Sequence, residues 1–302
     1  MGGNTLDMTK GSAWKLIVQF AVPVFLSQVF QQLYNTVDAV IVGRFVGKEA
    51  LSCVSGSSGQ IINLVVGFFT GLSAGATVMI SQHFGAKNEE QLHKALHTAY
   101  AFAITGGIIA GVIGVVMTRM VLKWMNTPEN LLPDSTLYVR IYFAGLLFIF
   151  VYNMGAAILR AIGDSKRPLY FLIICCIVNI ILDPMLIFGI WFFPKMGIAG
   201  AALATGIGQV IPLVVYIIIF VKRPMAFHMT WHKNLIRKRL CKQMYGVGIP
   251  ATLNLALPSF MITALNGILA VYSETYVLVL GIYYKLQTFI YLSANGIVQG
   301  IR

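Results

Sequence analysis

An all-α, polytopic membrane protein is the fold class this sequence predicts, on three observations. Hydrophobic residues make up 58% of the 302 and charged residues only 11%, where a water-soluble domain carries about a quarter charged. The apolar residues fall into runs long enough to cross the hydrocarbon core of a bilayer, which takes roughly 20 helical residues. The polar connections between those runs alternate between rich and poor in Lys and Arg, as a chain threaded back and forth through a membrane requires.

Eight spans are expected, at about 14–42, 51–82, 95–122, 136–159, 168–193, 198–221, 244–272 and 276–301. The first follows the polar stretch Met1 to Gly11 and has the wrong length and flanks for a cleaved signal peptide, so it is read as a resident helix. The second carries Gly67, Gly71 and Gly75 at four-residue spacing, the pattern of close helix packing. Trp124 ends the third and Trp191 the fifth at one membrane face, with Trp14 at the other, where interfacial aromatics belong. The fifth holds Asn179, Asp183 and Pro184, the sixth Thr205 and Gln209, the seventh Pro250 and Pro258, and the eighth Lys285. Pro23, Pro184, Pro250 and Pro258 can kink or loosen their helices. Between the sixth and seventh spans, Lys222 to Gln243 reads as a basic, amphipathic surface linker with Trp231 and the run Arg237-Lys238-Arg239.

The net charge of +12 would suggest nucleic acid in a soluble protein. Here the basic residues sit between spans, where topology and anionic lipid account for them, so no nucleic-acid partner is expected. With the N-terminus in the cytoplasm, 14 of the 22 Lys and Arg fall inside and six outside, Lys285 and Arg302 completing the count. That asymmetry orients the chain with its N-terminus in, in the plasma (inner) membrane. Cys53, Cys175, Cys176 and Cys241 have no metal-ligand spacing and read as packing residues.

An internal repeat is visible. Phe20-Ala-Val-Pro23 in the first span is echoed by Val247-Gly-Ile-Pro250 in the seventh, 227 residues on. Leu72-Ser-Ala74 in the second is echoed by Leu292-Ser-Ala294 in the eighth, 220 residues on. The unit is therefore six spans, and two units would need roughly 440 residues. Residues 1–221 are expected to form an N-terminal six-helix lobe, 222–243 the linker, and 244–302 the first two helices of a second lobe. Six being even, the two units would run parallel, with a transport site between or within them near mid-membrane.

Of ten acidic residues only Asp38 and Asp183 lie within spans. A carboxylate in hydrocarbon costs on the order of 3 kcal/mol even on lenient insertion scales, so such residues face a cavity or a partner. Both fall in the outer half of their helices, which allows one shared site. Asn179 lies one turn from Asp183; Gln28, Gln31, Asn35 and Asp38 form a stripe at helical spacing with Tyr34 beside it; Thr205 and Gln209 are again four apart. Oxygen ligands from three helices suit a proton relay or a hard cation such as sodium, with Asp38 and Asp183 as its metal ligands. The plainer alternative is that these residues pin helices together. Lys285, the third charge within a span, either lines a substrate cavity or pairs with another helix.

Five motifs, in order, then resemble one family. They are Asn35-Thr-Val-Asp38-Ala-Val-Ile-Val-Gly43, Gly71-Leu-Ser-Ala-Gly-Ala76, Ile158-Leu-Arg160-Ala-Ile-Gly163-Asp164-Ser-Lys-Arg-Pro168, Asn179-Ile-Ile-Leu-Asp183-Pro184, and Gly200-Ala-Ala-Leu-Ala-Thr205. Together they resemble the multidrug and toxic compound extrusion (MATE) transporters, within the superfamily that also holds lipid-linked oligosaccharide flippases. The resemblance implies a twelve-helix fold of two six-helix lobes, of which this chain supplies eight helices. It implies proton- or sodium-driven antiport of amphipathic, often cationic, small molecules, with no other cofactor and a monomeric protein among membrane lipids. It places the cation-coupling site on Asp38, Asn179, Asp183 and Thr205. Gln28, Gln31, Tyr34, Asn35, Gln209 and Lys285 are the expected cavity-lining residues. One departure stands out: Pro258 occupies the position where a subgroup of the family carries a seventh-span Glu, so coupling is expected in the first lobe.

The nearest rival is a flippase for lipid-linked sugars, which would present a strongly cationic cavity where this chain offers chiefly Lys285. A membrane-embedded enzyme is a different class. Against it stand the absence of Asp-Asp-x-x-Asp and Gly-x-Ser-x-Gly motifs, and five histidines that all fall in loops or at span borders. No Gly-x-x-x-x-Gly-Lys-Ser/Thr stretch exists, so no nucleotide is expected to drive transport.

Overall fold

The computed structural model describes residues 11–55, 57–125, 127–190, 194–222 and 238–272, with isolated helical positions between 283 and 298. Its elements are α1 (Ala13–Ile41), a π turn (Val42–Val46), α2 (Lys48–Ser55), α3 (Ser57–Gly85), α4 (Glu89–Trp124), α5 (Leu132–Ala144), α6 (Leu146–Ala161), α7 (Lys166–Phe188), α8 (Ile198–Lys222) and α9 (Lys238–Tyr272). Among the described residues, five helical stretches are long and apolar enough to cross a bilayer: Ala13–Val46, Ser58–Gly85, Glu89–Trp124, Lys166–Phe188 and Ile198–Ile218. The pair α5 and α6, bent by 49° at Gly145, makes a sixth if taken as one span.

Helix ends follow local chemistry. Asn88 caps α4, its side chain accepting from the Gln91 N–H at 3.1 Å, with Glu89 and Glu90 in the first turn facing the positive end of the helix. α7 stops at Gly189, which takes the left-handed conformation (φ 70°) and returns its N–H to the Met185 carbonyl. The turn from α6 to α7 buries Asp164 completely; its carboxylate accepts the Arg167 N–H at 3.1 Å and pairs with the Arg167 guanidinium at 3.1 Å. Burial raises the Asp164 carboxyl above its ordinary range, and Arg167 opposes the rise.

Several expected boundaries shift. Helix already covers Lys48–Ser55, before the expected start of the second span at 51, and α3 runs from Ser57 to Gly85, past its expected end at 82. The fourth is no straight rod, since Gly145 breaks it into α5 and α6. The fifth ends at Phe188, five residues before the expected 193, where Gly189 turns the chain. The expected linker loses its last residues to α9, which is already helical at Lys238. Lys285 and most of the expected eighth span lie outside the described residues.

α6 is the central post of the bundle, with Leu146, Phe150, Met154, Ile158 and Leu159 among its fully buried side chains. α4 approaches α6 closely at Gly107, against the Leu147 backbone, and α5 at Gly111, against the Phe143 carbonyl, where any Cβ would come within about 3.0 Å. α1 packs on α7, α7 on α8, and α8 on α5 and α6. The polarity of the bundle is inverted relative to a water-soluble protein. Val116 on the outside of α4 is 71% exposed, while Asn179 and Asp183 are 0% and 1% exposed. Apolar rims of this kind belong in lipid, and the chain is an integral membrane protein.

Candidate functional site

α1 and α7 run side by side in the same direction, and their register brings the two acids together. The Cys176 thiol reaches the Phe30 carbonyl at 3.8 Å. From that contact Asp38 lies eight residues on along α1 and Asp183 seven along α7, so both carboxyls arrive at the same level. They lie against one another, and Tyr138 of α5 stands within electrostatic range of both. The fold thus brings the two acids together.

α8 closes the third side. Its Gly208 removes the side chain that would collide with Asn179, whose amide nitrogen lies 3.3 Å from where a Cβ would stand. The same face presents Thr205, which accepts from the Tyr34 hydroxyl at 3.3 Å and donates to the Ala201 carbonyl at 3.0 Å. Gln209 donates to the Cys175 sulfur at 3.5 Å. Thus Asp38, Asn179, Asp183, Thr205, Tyr34 and Gln209 converge from three helices. Of the expected cavity-lining residues of α1, Gln31 and Asn35 are exposed and Gln28 is half-buried.

Asp38 Oδ1, both oxygens of Asp183, both polar atoms of Asn179 and Gln209 Oε1 are buried without a hydrogen-bond partner in the protein. Buried polar atoms normally find partners, so five such oxygens on adjoining side chains mark a place suited to a positive ion. Two carboxylates 4 Å apart repel by about 4 kcal/mol at an effective dielectric of 20, and a proton or a cation between them turns that repulsion into attraction. The donor set of carboxylate, amide and hydroxyl oxygens suits a hard cation such as sodium. Among the described residues there is no cluster of three or more His, Cys, Asp or Glu, which is the ligand set a transition metal would want.

Two residues escaped sequence reasoning. Tyr138 is an aromatic in an apolar run, with no pattern that sets it apart from lipid-facing rings, and only the packing of α5 on α8 brings it to the acids. His97 was read as a border residue but is buried in α4, two turns inside the helix start. A separate cleft of about 310 Å³ lies between α3 and α9, lined by Val78, Val247, Pro250, Ala251 and Asn254, and contains none of the expected cavity residues.

The chain resembles known proteins over nearly its whole length. It is 34% identical over 293 residues to the probable multidrug resistance protein YoeA of Bacillus subtilis (strain 168), covering 96% of this chain and 63% of that protein. It is 25% identical to the multidrug export protein MepA of Staphylococcus aureus (strain NCTC 8325 / PS 47), covering 97% of this chain and 64% of the relative. Among solved structures it superposes on an outward-facing multidrug resistance MATE family transporter of the MOP superfamily with a TM-score of 0.89, at 22% identity. That match covers 99% of this chain and 66% of the solved one. A MATE structure in complex with MaD3S matches with a TM-score of 0.90 at 23% identity, over 99% and 67% of the two chains. The chain thus spans about two thirds of the length of the proteins it resembles, and the structural likeness shows the fold. The MatE family model matches residues 23–185, more than half of the sequence and the stretch that contains both Asp38 and Asp183, and the chain belongs to that family.

Proposed function

We propose that this chain forms the first lobe and the start of the second in a twelve-helix secondary transporter. That transporter expels amphipathic, often cationic, small molecules in exchange for protons or sodium ions. The observation that carries the reading is the juxtaposition of Asp38 and Asp183, with Asn179 and Thr205 beside them, inside a bundle whose exterior is apolar. The names of the relatives, a probable multidrug resistance protein and a multidrug export protein, support efflux as the direction and a broad substrate class. The Lys and Arg bias supports a cytoplasmic N-terminus in the plasma membrane, and a single polypeptide of two lobes needs no second copy to make the cleft.

The coupling follows from charge. With both acids ionised and no cation present, the outer half of α1 sits beside uncompensated negative charge. Binding a proton or sodium ion neutralises it and favours a different position of α1, in which substrate is released outward. Resetting the acids returns the cleft to the cytoplasm for the next substrate. Dye efflux from vesicles carrying the full-length transporter, with proton and sodium gradients imposed one at a time, tests this directly. Asp38→Asn and Asp183→Asn are expected to remove gradient-driven efflux while leaving the amount of protein in the membrane unchanged. Wild-type efflux from both variants would overturn the assignment.

A further inference from the structure

Below the acid pair the interior of the bundle stays polar down to its opposite end, which a cation site alone does not require. Asn179 lies one turn below Asp183, and Gln209 beside it reaches Cys175 at 3.5 Å. Pro212 follows on the same face of α8; lacking an N–H, it leaves the Gly208 carbonyl without its helical donor. Tyr152 of α6 is buried within electrostatic range of Cys175 on one side and of Arg160 on the other. Three residues further along α6, Gly155 makes room for Tyr216, whose hydroxyl lies 3.3 Å from where a Cβ would stand. The Tyr216 and Tyr100 hydroxyls hydrogen-bond to each other across α8 and α4. His97 is buried one turn nearer the start of α4.

Depth orders these groups. α7 rises from the end that holds the α6–α7 turn, while α6 and α8 descend toward it and α4 rises from it. On α8 the positions 205, 209, 212 and 216 share one face at spacings of four, three and four. We propose that Gln209, Cys175, Tyr152, Tyr216, Tyr100 and His97 mark a proton path inside the bundle, joining the Asp38–Asp183 pair to the cytoplasmic end without passing through the cleft between lobes. This rests on the coupling reading above and adds to it the identity of the ion and its route. Each hydroxyl, thiol or imidazole accepts a proton on a lone pair and gives up its own, directly where two hydroxyls touch and through buried water where they stand a turn apart. One proton leaves a carboxyl of the pair, one reaches cytoplasmic water, and no group between changes charge. Sodium needs several oxygens at every stop. A pair of tyrosine hydroxyls offers only two but exchanges donor and acceptor roles freely.

The alternative is that Tyr100 and Tyr216 simply fasten α4 to α8, and the test separates the two. Full-length transporter in proteoliposomes would carry Tyr216→Phe, Tyr100→Phe or, should either fail to fold, Tyr152→Phe. The readouts are substrate efflux driven by a pH gradient, its half-saturating substrate concentration, and its slowing in D2O. The path predicts about tenfold slower efflux, unchanged half-saturation, a D2O effect larger than in wild type, and a double variant no slower than the worse single. Wild-type rates in the variants overturn it, as does slower efflux accompanied by an unchanged D2O effect and a lowered melting temperature. Wild-type protein driven by sodium but not by a pH gradient overturns the path while leaving the coupling site standing. Wild-type protein driven by neither sinks the proposed function along with it.

Discussion

The seam between α7 and α8 and the seam between α3 and α9 are both opened by glycine, yet what the glycines admit differs completely. Gly208 makes room for an amide, and around it gather two carboxylates, two hydroxyls and a second amide. Gly71 and Gly75 make room for backbone: the Thr252 main chain and the Met244 carbonyl fill the space their side chains would take, and a Cβ on Gly248 would in turn stand 3.1 Å from Leu72. The polar cargo of the second seam is modest, the Thr252 hydroxyl reaching the Phe68 carbonyl at 3.3 Å while also bonding its own helix at 2.9 Å. Close approach is thus a general tool in this bundle. Chemistry enters only where the space it opens is filled by groups that change charge.

The most drastic way to break the comparison is to remove the charge from the first seam. Asp183→Asn is expected to lower gradient-driven efflux at least a hundredfold with protein levels intact, measured in vesicles, since no other ionisable group on α7 or α8 stands in its place at that depth. Filling the second seam should act on folding instead. Gly75→Leu puts a branched side chain where the Met244 carbonyl sits. The expected cost is about 1–3 kcal/mol or more from overpacking, read as a fall in folded yield and melting temperature in detergent.

Smaller changes sharpen the contrast. Tyr34→Phe removes one interhelical hydrogen bond to Thr205 but no charge. It should cost roughly 0.6 kcal/mol, the average for such bonds within membranes, while slowing efflux by a few-fold, seen as a lower maximal rate at unchanged expression. Thr252→Val deletes the single hydroxyl of the glycine seam and keeps its shape. Its expected effect is a few tenths of a kcal/mol or less by thermal melting, because the hydroxyl already has a partner in its own helix.

Much of this was legible in advance for a physical reason. Lipid excludes charge so strongly that Asp38 and Asp183 stood out of the apolar runs by residue type alone, and the level of each along its span followed from counting residues. The partners that carry no charge were harder. Asn35 and Gln31 looked like neighbours of Asp38 because a helical wheel groups positions within a broad arc, and only the packing of α1 on α7 decided which edge of that arc faces inward. Tyr138 and His97 gave no signal, since a buried tyrosine and one facing the interface are the same letter, and a histidine just past an expected helix border can fall on either side of it.

The amino-acid sequence determined that the chain lies in a membrane and which acids must be sheltered, because each of these depends on the cost of moving single residues between water and hydrocarbon. Tertiary structure alone decided that the two acids meet, that Asn179 completes the site through a glycine on α8, and that the fourth span breaks at Gly145. Those outcomes depend on the register between helices far apart in the chain, which is set by how side-chain volumes fit together and leaves no mark on the hydropathy of any one segment.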